Sequence, residues 1–200
     1  MDLESVDLVL KTARSVRRKL DFERDVPQSV IEECIDVATQ APTGMGGENW
    51  RFVVVRQASV KSALAALYSE ILIDLVQQRG IELKPTHKAL IERLPDIPCM
   101  IFVCVTGQPG ITKAEQVAFY GSILPAAWSL MLALRARQLG TTWTTLLSAR
   151  QEQVSDILGM PNDAMQTVML PVAYMKNAVM KVADRLPARD VTFVDRWGEH

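Results

Sequence analysis

Arg14, Ser15, Arg17 and Arg18 place three guanidinium groups and a hydroxyl within a single short stretch. That combination suits a phosphate monoester, because guanidinium forks supply charge with bidentate donors and a hydroxyl adds a short hydrogen bond. A solvated basic helix face reads the same way in isolation. Further along, Thr43-Gly44-Met45-Gly46-Gly47-Glu48 is a glycine-rich loop. There the backbone can approach a planar ligand or turn sharply, although an ordinary loop fits as well. Other chemistries find little support. There is no G-x-x-x-x-G-K-[ST], no G-x-G-x-x-G after a strand and no G-x-S-x-G. The two histidines, His87 and His200, lack ligand or triad partners at suitable spacing. Cys34, Cys99 and Cys104 lie in apolar runs without a C-x-x-C pair, and read as small buried hydrophobes in a reducing compartment. If the chain is an enzyme, an organic cofactor carries the chemistry.

The elements that must position these residues follow from periodicity. Leu3, Val6, Val9 and Leu10 predict an amphipathic first helix that ends at the basic cluster. Ser29 with Glu32 predicts a capping box for a second helix ending at Ala41-Pro42. Strands are expected at 52–55, at the unbroken apolar run 100–105, at 141–147 and at 167–173, where Pro171 implies an edge or a bulge. Residues 59–78 predict a helix and 82–98, broken by Pro85 and Pro95, a surface excursion. A long apolar helix is expected from about Lys113 to Leu139 with Gly140 as its stop, then a short helix 151–158 stopped by Gly159. The mixed tail from Val179 is expected to wrap the body or reach a partner.

Residues 116–134 carry no formal charge, but Gln116, Gly121, Ser122 and Pro125 dilute them below the uniformity of a membrane span. A helix apolar on most faces is expected to be buried on most faces, and a chain this small would need a second subunit to cover one side. Lys plus Arg number 22 against 23 Asp plus Glu, so no overall field favours nucleic acid or an acidic membrane surface. No secretory signal is visible, which makes the cytoplasm the default expectation. The length of 200 residues predicts one domain, spanning 1–200.

Taken in order, four segments resemble the nitroreductase family of flavin enzymes. Its R-S-x-R element appears as Arg14-Ser15-Val16-Arg17, and its A-P-[ST]-x-x-N-x-Q-x-W loop as residues 41–50, from Ala41-Pro42-Thr43-Gly44 to Asn49-Trp50. Its L-G-x-T-x-T element appears as Leu139-Gly140-Thr141-Thr142-Trp143-Thr144, and its late arginine as Arg185-Leu186-Pro187. The chain departs from the family at Gly46 and Glu48, where members have Asn and Gln, and at Ala13, where many have a further arginine for which Arg18 would substitute.

The resemblance implies an α+β, three-layer fold with a central mixed β-sheet flanked by helices, in an intertwined homodimer. It implies FMN, with Arg14, Ser15, Arg17 and Arg185 at the phosphate. Pro42, Thr43, Gly44 and Gly46 would contact the flavin from the opposite subunit, and Thr142, Thr144 and Thr145 would line the isoalloxazine edge. It implies ping-pong hydride transfer from NADH or NADPH to a small electrophilic acceptor such as a nitroaromatic, a quinone or an activated alkene. The alternative is a flavin-binding or flavin-processing protein that is not a general reductase.

Overall fold

The computed structural model describes residues 2–44 and 47–199. Strand β3 (Cys99–Thr106) is the axis of the fold, buried along almost its whole length. It pairs with β2 (Trp50–Val55) on one side and with the long β5 (Ala164–Met175) on the other. Two short strands, β1 (Leu20–Asp21) and β4 (Leu139–Thr141), also pair with β5. All these ladders are antiparallel, and the mixed character expected of the sheet is confined to one parallel bridge, Ser15–Thr141.

Alternation along β3 creates the layers, since successive side chains of a strand leave opposite faces. Cys99, Ile101, Val103 and Val105 face helices α2 (Gln28–Ala38) and α6 (Leu124–Ala136). Met100, Phe102 and Cys104 face α3 (Ala58–Arg79), α4 (Pro85–Arg93) and α7 (Gln151–Leu158). A strand covered on both sides reads as an unbroken apolar run, which is why residues 100–105 were legible. Each fully buried large side chain, such as Phe102 or Leu130, contributes roughly 1.5–3 kcal/mol of transfer free energy.

Several expectations are corrected. The long helix is two helices, α5 (Lys113–Gly121) and α6, interrupted at Ser122 and Ile123. Pro125 sits in the first turn of α6, where its missing N–H leaves no bond unmade. Burial on most faces holds for α6 alone, because α5 has no buried residue and Val117 is 73% exposed. Gly140 is not a helix stop. Helix α6 ends at Ala136, Gln138 takes the left-handed conformation at φ 63°, and Gly140 lies within β4. A Cβ there would come within 2.7 Å of Leu20 and 3.1 Å of Val16, so the glycine permits a close strand approach.

Ser29 and Glu32 do not form a capping box. Pro27 is the N-cap of α2, and Glu32 accepts instead from Gln28 Nε2 at 3.0 Å. Thr112 and Glu115 form one at the start of α5. The Pro-broken segment is not merely a surface excursion, because Leu90, Leu94 and Ile97 are buried in the second core.

Residues 146–150 form a 3-10 helix, so of the strand expected at 141–147 only Thr141 lies in β4. The pairing of this stretch with β5 stops at Thr141–Val172 and resumes in the same register at the single bridge Thr144–Met169. Pro171, which lacks an N–H, lies in that gap, buried within β5 instead of at an outer edge of the sheet. Helix α1 (Leu3–Thr12) forms as expected, but Leu3, Val6 and Leu10 remain exposed and only Thr12 is buried. The tail beyond Met175 is irregular apart from short turns at Ala188–Asp190 and at 196–199, and Leu186 and Trp197 are exposed.

Candidate functional site

The segment after α1 is fastened to the sheet by its own backbone. Val16 N–H donates to the Thr141 carbonyl at 2.8 Å, and the Thr142 hydroxyl donates to the Val16 carbonyl at 3.0 Å. With Val16 held inward, its neighbours Ser15 and Arg17 open onto a cavity of about 670 Å³. Ala13, Arg14 and Arg185 line it as well, with Trp128 and Met131 from α6 and Trp143 forming its apolar wall. Arg185 reaches it from the tail, and with Arg14 and Ser15 also lines an adjoining cavity of about 500 Å³ walled by residues 179–185.

Among the described residues no carboxylate lines the larger cavity. Arg17 Nε is buried and has no hydrogen-bond partner among the described residues. Three converging guanidinium groups with an unsatisfied buried donor fit an anion that accepts several hydrogen bonds, as a phosphate does. His87, on α4, is held below its ordinary value of 6.5 by burial first, then by the charges of Arg17 and Lys84. Arg18 is exposed and lines neither cavity, so the structure does not bring it to the cluster.

Gly44 belongs elsewhere. Its N–H donates to Ser122 Oγ at 2.9 Å, and it lines a separate cavity of about 510 Å³ with Gly47, Asn49, Gln108 and Glu115. Among the described residues the two cavities share no lining residue. Pro42 is exposed and Thr43 half-buried beside Gly44, while Gly46 lies outside the described residues.

The threonines divide. Thr142 and Thr144 are buried, with the Thr142 hydroxyl given to Val16 and Thr144 Oγ1 accepting from Leu146 N–H at 3.4 Å. Thr145 is exposed and lines a fourth cavity, of about 310 Å³. The residue that reaches the arginine cavity from this stretch is Trp143, which sequence reasoning passed over. Strand alternation was the available signal, since inward Thr142 and Thr144 turn 143 outward. Trp128 and Met131 were hidden in an apolar helix whose faces look alike by composition.

The cysteines stay in the core. Burial pushes the Cys99 thiol up to about 11 and Cys104 to about 12, and raises Cys34. All three are free, buried and poor nucleophiles near neutrality. No cluster of metal-ligating side chains occurs among the described residues.

Comparison with known proteins gives the family and the fold. The nitroreductase family model matches residues 10–174. Iodotyrosine deiodinase 1 of Mus musculus is 30% identical over 197 residues, covering 94% of this chain and 64% of that protein. A putative NADH dehydrogenase/NAD(P)H nitroreductase of Methanothermobacter thermautotrophicus is 25% identical over 171 residues, covering 82% and 74%. The chain spans about three fifths of the length of the deiodinases it matches.

Among solved structures, a putative NADH dehydrogenase/NAD(P)H nitroreductase from Bacteroides thetaiotaomicron has a TM-score of 0.71 at 20% identity, covering 97% of this chain and 99% of that one. The NADPH:FMN oxidoreductase of Vibrio harveyi, complexed with NAD+, has a TM-score of 0.76 at 14% identity, covering 98% and 79%. Oxidized iodotyrosine deiodinase, bound to FMN and 3-iodo-L-tyrosine, has a TM-score of 0.65 at 21% identity, covering 92% and 98%. At these identities the structural likeness concerns the fold.

Proposed function

The chain belongs to the nitroreductase family, and from that premise we propose that it is an FMN-dependent oxidoreductase. It takes hydride from NADH or NADPH and passes it to a small electrophilic acceptor such as a nitroaromatic, a quinone or an activated alkene. The observation that carries this reading is the carboxylate-free cavity in which Arg14, Ser15, Arg17 and Arg185 converge and Arg17 Nε lies buried without a partner.

Arg14, Arg17 and Arg185 would bind the terminal phosphate as charged forks, with the Ser15 hydroxyl as a further donor. A terminal monoester suits FMN over FAD, and no dinucleotide-binding motif occurs in the sequence. Trp143, Trp128 and Met131 supply an apolar wall that excludes water from one side of the cavity. Bound FMN would supply the hydride acceptance and delivery that no side chain here provides. The buried Thr142 would act through Val16, keeping the phosphate-binding segment against the sheet.

The working unit in this reading is one domain per chain and two chains per molecule. Leu3 and Leu10 on α1, Val117 on α5, and Leu186 and Trp197 in the tail are exposed side chains that a second copy of the chain would cover. The Thr43-Gly44 loop would then serve the flavin of the other copy, which is supported by Gly44 lining a cavity other than the arginine cavity of its own chain. Free buried thiols favour a reducing compartment, the cytoplasm.

The similarity to iodotyrosine deiodinases favours a second reading, reductive dehalogenation of an aromatic substrate. One anaerobic experiment tests both. The purified protein should release FMN on denaturation, and its flavin absorbance should bleach with NADH or NADPH. Recovery of absorbance on adding a quinone or nitroaromatic supports the reductase. Iodide release from 3-iodo-L-tyrosine, with no recovery on quinone, supports the dehalogenase. Bound FMN that neither nicotinamide reduces would point to a flavin carrier.

A further inference from the structure

Ser122 sits at the break between α5 and α6, and its hydroxyl is used twice. Oγ donates to the Ala118 carbonyl, one turn back, at 2.8 Å, and accepts from the Gly44 N–H at 2.9 Å. The first bond is local. A serine that bonds back to the i−4 carbonyl competes with the helical ladder and favours a bend. Here the Ser122 N–H is shared between the Ala118 and Phe119 carbonyls at 3.2 and 3.3 Å, and the Ile123 N–H turns to the Tyr120 carbonyl at 3.2 Å. The second bond joins residues 78 apart in sequence and ties the helix break to the loop that follows α2.

Both partners are of the type this contact requires. The φ of Gly44 lies outside the left-handed region, so backbone strain does not call for a glycine there. Proximity does, since a Cβ at 44 would lie 3.1 Å from Ser122 Oγ. At 122 the hydroxyl is the small side-chain group that donates and accepts through one atom. Among the described residues, this is the one hydrogen bond that joins residues 42–47 to a part of the chain outside the loop. Gly44 and Ser122 also line the same cavity, of about 510 Å³, so the bond forms part of its wall.

We infer that Ser122 is a positioning residue, its hydroxyl latching the Thr43-Gly44 loop to the α5–α6 break in the place from which the loop serves the flavin of the other copy. The role toward the flavin rests on the reading above, and the latch itself rests on the two hydrogen bonds of Oγ.

The test compares the wild-type protein as purified with Ser122→Ala, which removes the latch, and Ser122→Thr, which keeps the hydroxyl. Three quantities are read: hydrogen exchange of the Gly44 amide by NMR, the FMN dissociation constant from recovery of flavin fluorescence on dilution, and the melting temperature. Ser122→Ala should speed Gly44 exchange about tenfold and weaken FMN binding about tenfold, the value of one net hydrogen bond. Ser122→Thr should restore both. A serine with a structural role alone would lower the melting temperature and leave the FMN affinity of the folded protein where it was. Gly44 exchange unchanged in Ser122→Ala overturns the latch. Faster exchange with FMN affinity within twofold of the wild type overturns the positioning role and leaves the oxidoreductase reading standing. A wild-type protein that takes up no FMN overturns that reading and the role toward the flavin together, and the latch then stands or falls on the Gly44 exchange.

Discussion

The hydroxyl of Thr142 donates to the carbonyl oxygen of Val16 at 3.0 Å, across most of the sequence, and both residues are buried. This bond, with the Val16–Thr141 backbone pair beside it, couples the arginine segment to the stretch that presents Trp143. Replacing Thr142 with valine keeps the shape but leaves the Val16 carbonyl unpaired, which should cost about 1–3 kcal/mol. Thr142→Ser should recover most of the loss. Urea denaturation at constant slope checks this, with flavin retention as a second readout. A valine protein as stable as the wild type would show that the bond does not hold the segment.

How far the sequence disclosed this arrangement depends on the kind of signal. Strand β3 and helix α7 with its left-handed Gly159 were legible because burial on two faces and a glycine stop are local patterns. Arg14, Ser15 and Arg17 were identified by residue type and spacing and Arg185 through resemblance, and the fold brings all four to one cavity. What escaped depends on tertiary choice. The break before Pro125 looks the same as a continuous helix in composition, and Leu90 and Leu94 enter the core from a segment with surface-like prolines. Arg18 was indistinguishable by type from its neighbours, and only the backbone turns it outward.

The buried thiols predict a loss of stability in alkali. In the unfolded chain these cysteines ionise near 9.0, whereas in the fold burial pushes Cys99 up to about 11 and Cys104 to about 12. A raised folded value means the stabilisation is complete below pH 9 and falls as pH rises toward the folded values. At pH 10 each thiol should account for about 1.4 kcal/mol of lost stability. Denaturation midpoints measured from pH 8 to 10 should therefore fall less steeply in Cys99→Ala/Cys104→Ala than in the wild type. Equal slopes would show that these thiols ionise as freely in the fold as outside it.

His87 reports on the arginine cavity. Burial lowers its proton affinity most, and the charge of Arg17 lowers it further. A phosphate bound at Arg17 offsets that charge, so the His87 midpoint, followed by proton NMR of the imidazole in phosphate-free buffer, should move upward when FMN saturates the apoprotein. A midpoint that stays fixed would place the phosphate away from Arg17.

Composite sites make a genetic prediction. Arg17→Glu damages the phosphate cavity, and Gly44→Trp damages the other cavity, where even a Cβ would meet Ser122 Oγ at 3.1 Å. Each homodimer should be inactive. Coexpression should restore activity, because in a mixed dimer one site collects both lesions and the other receives neither. Mass spectrometry must confirm the heterodimer, and a confirmed heterodimer without activity would place both elements in the same chain's site.

The central claim is that Arg14, Ser15, Arg17 and Arg185 hold the phosphate of a flavin mononucleotide. Its most direct test is FMN titration of the wild-type and Arg17→Glu apoproteins, followed by quenching of flavin fluorescence. Charge reversal beside a partly buried phosphate should weaken binding by on the order of 100-fold or more, with an unchanged far-ultraviolet circular dichroism spectrum. A dissociation constant within threefold of the wild type in the folded variant would contradict the account.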